Sequence, residues 1–107
     1  MASLKPAMTG KKIIILDEDW SRLNIFSKGL ATYNYVVACD DFFEFEKEVK
    51  GQSKFDVMFL EFDLSERSIG PNNQRYSGID AAVFVNHLPQ DKHPDYIILH
   101  SWNDEGS

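Results

Sequence analysis

Cysteine is almost missing: the chain of 107 residues has one, Cys39. That excludes a disulfide scaffold and any zinc cluster built on cysteines. Cys39 suits a small, half-buried apolar position in a reducing cytoplasm. Long hydrophobic runs are missing too. Stretches such as Ile13–Leu16 and Val57–Leu60 stop far short of the ~20 residues that span a bilayer. The first ten residues carry one lysine and no long apolar stretch, so no secretory signal is expected there. Positive charge is scarce. Eleven Lys and Arg against 17 Asp and Glu give a net charge of −6. Such a surface repels a phosphate backbone at long range, so extended, sequence-blind nucleic-acid binding is not expected. A small phosphate ligand is compatible with this field where a metal ion or local donors overcome it. P-loop, G-x-G-x-x-G and G-x-S-x-G motifs are also absent, which removes the nucleotide-fold and hydrolase-elbow readings.

What is present is enough for a core. Hydrophobic residues make up 43% of the chain and include eight Phe, so disorder is excluded for most of its length. Residues 1–10, with Pro6 and Gly10, read as a loose leader, and 11–107 as a single domain. Lys12–Leu16 reads as a buried strand. The break at Asp17-Glu18-Asp19 leads into a helix over Trp20–Leu30, with Leu23, Ile25, Phe26 and Leu30 at near-helical spacing. Tyr33–Ala38 reads as a second strand. Asp40 or Asp41 caps a helix over Phe42–Lys50, with Gly51 as its stop. Phe55–Leu60 is a third strand, and a polar loop runs from Ser65 to Tyr76. Gly78–Leu88 is a third helix ended by Pro89, and Tyr96–His100 a fourth strand. Alternation of this kind, with apolar strands, predicts an α/β fold: a flavodoxin-like open parallel sheet in order 2-1-3-4, covered by helices.

In such sheets ligands bind at the carboxyl ends of the strands, at the switch point between strands 1 and 3. Strand 1 ends at Asp17-Glu18-Asp19, strand 3 at Glu61-Phe62-Asp63, and strand 4 at His100-Ser101-Trp102-Asn103. Up to five carboxylates from neighbouring strands therefore converge on one edge, where uncompensated they repel one another. A hard divalent cation resolves that conflict, because Mg²⁺ takes oxygen ligands and keeps several waters. The same acidic residues also serve as helix caps, Asp19 for the helix at Trp20 and Asp63 for a short turn. Ser101 and Asn103 are candidate donors to a phosphate oxygen or turn residues. Trp102 either stacks on a base or covers the core's edge. Arg67 and Arg75 in the polar loop are solvated or reach a phosphate. His87 and His93 read as solvated.

Ile13-Ile-Ile-Leu-Asp-Glu-Asp19 and Phe55-Asp-Val-Met-Phe-Leu-Glu61, with Ser101 after strand 4, resemble response-regulator receiver domains over about residues 11–107. Glu61 stands where those domains carry the phosphoacceptor aspartate, which implies no ordinary aspartyl-phosphate signalling. A divergent relative is more similar: the cyclic-phosphate-processing receiver family, with L-D-D, L-D-H-D-L, T-G and H-S-x-N-x-x-G motifs. The matching segments are Leu16-Asp17-Glu18, Leu60-Glu61-Phe62-Asp63-Leu64, Ser77-Gly78 and His100-Ser101-Trp102-Asn103-Asp104-Glu105-Gly106. Glu61 replaces the first Asp of the second motif, Phe62 replaces its His, and Arg22 only approximates the family's early arginine.

The resemblance implies divalent-metal chemistry, with Mg²⁺ or Mn²⁺, on a small cyclic-phosphate nucleotide or an RNA 3′ end, in RNA-end repair or nucleotide signalling. Asp17, Glu18, Glu61 and Asp63 are then the metal ligands. His100, Ser101 and Asn103 are the catalytic set, with Ser101 and Asn103 orienting the phosphate. The alternative is a pseudo-receiver without catalysis, acting as a protein-interaction or phosphate- or nucleotide-sensing module. The sequence is C-terminally short of the receiver pattern, without its fifth strand, that strand's lysine and the last two helices, so the outer sheet edge is expected either to be completed by further chain or to meet a second copy or a partner protein.

Overall fold

The computed structural model describes residues 9–64 and 68–101. Four strands form an all-parallel sheet in the expected order: β1 (Lys12–Leu16), β2 (Tyr35–Cys39), β3 (Val57–Glu61) and β4 (Tyr96–His100), arranged β2-β1-β3-β4. Three helices flank it, α1 (Trp20–Ala31), α2 (Phe42–Gly51) and α3 (Gly78–Asn86). Because β2 lies to one side of β1 and β3 to the other, right-handed crossovers put α1 on one face and α2 with α3 on the opposite face.

Side-chain alternation along the strands divides the core accordingly. Ile13, Ile15, Val57 and Phe59 pack with Leu23, Phe26 and Leu30 of α1. Ile14, Leu16, Met58 and Leu60 pack with Phe42, Phe45, Val49, Ala81 and Val85 of α2 and α3. Cys39 is fully buried in this second layer, not half-buried. Burial, ahead of the nearby Glu44, Glu48, Asp41 and Asp40 charges, pushes its thiol well above the usual range. It is a core side chain, not a nucleophile.

The caps explain where each helix starts. Asp19 accepts from the Arg22 amide at 3.1 Å, and Asp41, of the two candidates, accepts from the Glu44 amide at 2.8 Å. Ser77 and Asp80 form a reciprocal capping box at α3. β1 and β4 have the bounds expected from the sequence, and the other elements differ from it by one or two residues at an end. β2 starts at Tyr35, because the Asn34 amide group bonds Leu30 and prolongs the turn after α1. Gly51 is the last residue of α2 and Gln52 its cap.

Two further differences matter for the site. Within the polar loop, Ile69 and Arg75 form an antiparallel bridge, with Asn72 and Asn73 at positive φ (59° and 60°) turning the chain between them. Asparagine tolerates that left-handed region better than most residues. The sheet is also not covered throughout: Tyr96, Ile97, Ile98 and Leu99 of β4 are all exposed. No helix among the described residues is long and apolar enough to cross a membrane.

Candidate functional site at the carboxyl edge

Residues of odd number in β1 and β3 and of even number in β4 share the α1 face, as the registers Ile13↔Val57 and Val57↔Tyr96 require. Continuing that alternation brings Asp17, Glu61 and His100 to one face at the carboxyl ends, with Glu61 directly paired to His100. The first turn of α1 then delivers Arg22 from above. Asp17 and Glu61 are nearly sealed from water, at 2% and 6% exposure, so their charges need partners within the protein.

Arg22 is that partner. Its Nε donates to Asp17 Oδ2 at 3.3 Å and its Nη2 to Asp17 Oδ1 at 3.2 Å, a two-pronged grip. The same Nη2 reaches Glu61 Oε2 at 3.2 Å, and Nη1 reaches the exposed Asp19 at 3.2 Å. Backbone amides complete the coordination. The Asp19 amide donates to Asp17 Oδ1 at 2.8 Å, and the Glu18 amide to Glu61 Oε1 at 3.2 Å. Every oxygen of the two buried carboxylates thus has a donor.

Electrostatics follow from this packing. Burial pulls the Arg22 guanidinium down, but hydrogen bonding and charge from Asp17, with Asp19 and Glu61, more than restore it, so it stays a permanent cation. Glu61 moves the other way. Burial, then a shared hydrogen bond and repulsion with Asp17, push its carboxyl from 4.5 up to about 7, against the Glu18 amide and Arg22. His100 is half-buried, and burial lowers its imidazole below the usual 6.5, helped by Arg22 and opposed by Asp17. Near neutrality the edge therefore holds a fixed cation, a carboxyl that is partly protonated and a neutral imidazole whose ring nitrogens are buried.

The other expected residues are distributed around this centre. Glu18 turns away: its Oε2 accepts from the Ser68 amide at 2.9 Å, tying the 68–76 segment to the edge. Asp63 is exposed, and the Ser101 hydroxyl donates to it at 3.4 Å. Asn103 and Trp102, like Arg67, lie outside the described residues. Arg75 is exposed on the hairpin. His87 and His93 bond the Val83 and Leu88 carbonyls at 2.8 Å each, closing the end of α3. Phe62, where the resembling family has His, is 45% exposed at the rim.

Sequence reading missed two structural supports. Ser68 is completely buried, and its hydroxyl accepts from the Phe42 amide at 2.9 Å. Tyr76 stacks on Phe42 with ring centres 4.5 Å apart. Together they clamp the hairpin to the start of α2. Arg22 was detectable, since Asp-x-x-Arg at a helix start places the arginine over its own cap.

The donor set is the test of the expected metal. A divalent cation at Asp17 and Glu61 would need oxygens that Arg22 and two amides already occupy, while Glu18 and Asp63 face other partners. Among the described residues no group of three or more His, Cys, Asp or Glu is placed to hold a metal ion. As arranged, these residues do not fit one. A shallow hollow of about 550 Å³ between Lys11, Lys12, Asn34 and Asp56 lies at the strands' opposite ends and holds none of the expected site residues. No protein-family model, curated protein or solved structure matches this chain. Its functional class rests on the geometry of the carboxyl edge.

Proposed function

We propose that this protein is a receiver-like domain that opens cyclic phosphates on a nucleotide or an RNA 3′ end. The observation that supports this reading best is the gathering of Asp17, Arg22, Glu61 and His100 on one face of the carboxyl edge. Each has a role in ring opening. A phosphate oxygen replaces Asp19, the exposed carboxylate, on Arg22 Nη1. Neutral His100, whose buried ring nitrogens must be uncovered as substrate enters, takes a proton from water as the water oxygen bonds to phosphorus. The ring P–O bond then breaks, and protonated Glu61 gives its proton to the departing ribose oxygen, leaving a phosphomonoester. Asp17 holds Arg22 in place. Ser101 beside Asp63, and Asn103 by the resemblance, orient the phosphate. No step passes through a metal ion.

Phosphorus NMR of 2′,3′-cyclic AMP and of cyclic-phosphate-ended RNA tests this. Ring opening by the wild type, reduced on the order of 10²–10⁴-fold in His100→Ala, supports the reading. A folded protein that opens neither substrate overturns it.

One observation favours a second reading. The edge strand β4 leaves four consecutive apolar side chains exposed and, among the described residues, has a strand neighbour on one side only, an arrangement that invites strand addition. On that reading the domain is a pseudo-receiver that senses phosphate or nucleotide and binds a second copy or a partner protein. Sedimentation velocity on wild type and Ile98→Lys separates these: association lost in the variant, without turnover in either, favours the interaction module.

A further inference from the structure

The carboxyl edge has the charge problem that a divalent cation ordinarily solves, and it is solved by a side chain. Asp17 and Glu61 come from adjacent parallel strands, both buried, with their carboxyl groups close enough to share a hydrogen bond. A pair of this kind requires a cation or a retained proton. Arg22 Nη2 lies 3.2 Å from an oxygen of each. Its Nε holds the second Asp17 oxygen, and the Asp19 and Glu18 amides take further positions on the two groups.

We infer that Arg22 is the resident cation of this site, and that it excludes divalent metal from the two carboxylates. The inference deepens the proposed function by setting its cofactor requirement, yet its test reads metal occupancy and stability, not turnover. The guanidinium suits the seat for a physical reason. It is planar, weakly hydrated and always charged, and its fork matches two carboxylate oxygens at once. Mg²⁺, by contrast, sheds water reluctantly and demands octahedral oxygens, which Glu18, turned away to Ser68, and the rim residue Asp63 do not supply here. The anchor is also rigid. Arg22 stands on the first turn of α1, three residues after the Asp19 cap that fixes that turn, so it cannot swing clear without breaking its grip on Asp19 as well.

The experiment uses Mn²⁺ as a paramagnetic probe on the 107-residue chain, with amide resonances of Asp17, Glu18 and Glu61 as reporters. The wild type is expected to show no selective broadening at millimolar Mn²⁺, and the same melting temperature in EDTA and in Mg²⁺. Arg22→Met is expected to melt about 5–10 °C lower in EDTA, to broaden at those amides with Mn²⁺, and to recover part of its stability in Mg²⁺. Selective broadening of the wild type overturns the inference, and that arm needs no variant. A folded Arg22→Met that remains indifferent to both ions also overturns it. Turnover of cyclic phosphates moves none of these readouts, so failure of the proposed reaction and failure of this inference are distinguishable.

Discussion

The Arg22 guanidinium lies 3.2 Å from the Glu61 carboxylate, joining the first turn of α1 to the last residue of β3. Thirty-nine positions separate the two residues in the chain, so the contact exists only because the sheet places β3 next to β1. It locks helix to sheet at the edge where this fold binds ligands. It also leaves Glu61 beside two groups with opposite demands, Asp17 favouring the protonated carboxyl and Arg22 the ionised one.

That balance gives Glu61 a measurable pH signature. Its carboxyl is raised from 4.5 to about 7 in the folded protein. The folded chain therefore binds this proton more tightly than the unfolded chain does. The resulting stabilisation is full below about pH 4.5 and is lost as pH rises to about 7. Glu61→Gln cannot titrate. Urea unfolding from pH 5 to 8 should show the wild type losing on the order of 2–3 kcal/mol relative to Glu61→Gln. A constant offset between the two proteins would contradict the shift.

Gly78 opens α3 against the end of β3, its amide donating to the Phe62 carbonyl at 3.0 Å. A Cβ there would lie 2.3 Å from the Glu61 carbonyl oxygen and 2.9 Å from its carbon. Both are backbone atoms, so neither can rotate aside. Gly78→Ala should cost roughly 2–3 kcal/mol in urea unfolding and shift the Glu61 and His100 resonances. Gly29→Ala, where nothing lies within 4 Å of the added carbon, is the control and should not destabilise.

The Ser68 side chain holds the start of α2 through its hydroxyl, while its contact with Glu18 uses the backbone amide. Ser68→Ala should leave the Phe42 amide without that acceptor and cost about 1–2 kcal/mol. Hydrogen exchange at Phe42 should accelerate while exchange in β1 changes no more than the global loss of stability requires. Equal acceleration throughout would show that the hairpin is not a separable clamp.

Much of this was legible in the sequence. The strands announce themselves by apolar runs between acidic breaks, and parallel order follows from alternation with helices. Ser77 and Asp80, Asp41 and Asp19 are capping residues at the spacing capping requires. The convergence of Asp17, Glu61 and His100 follows from strand order alone. What remained hidden were choices of partner. Carboxylates from two strands look like a metal site until a cation from a helix is placed among them, and sequence spacing does not say whether an arginine on a helix's first turn faces water or the sheet. Glu18 shows the same limit. It neighbours Asp17 in the chain, but in the pleat it leaves on the opposite side and meets Ser68 instead. Burial of Ser68 was invisible because serine in a Gly-Pro-Asn segment reads as loop.

The most direct test of the whole account is turnover of 2′,3′-cyclic AMP in EDTA, followed by phosphorus NMR from pH 5 to 9. Ring opening by the wild type should pass through a maximum. Its acid limb should fall below 6.5, where His100 gains a proton, and its alkaline limb near 7, where Glu61 loses one. Folded protein that turns over nothing across that range, or only after a divalent ion is added, would contradict it.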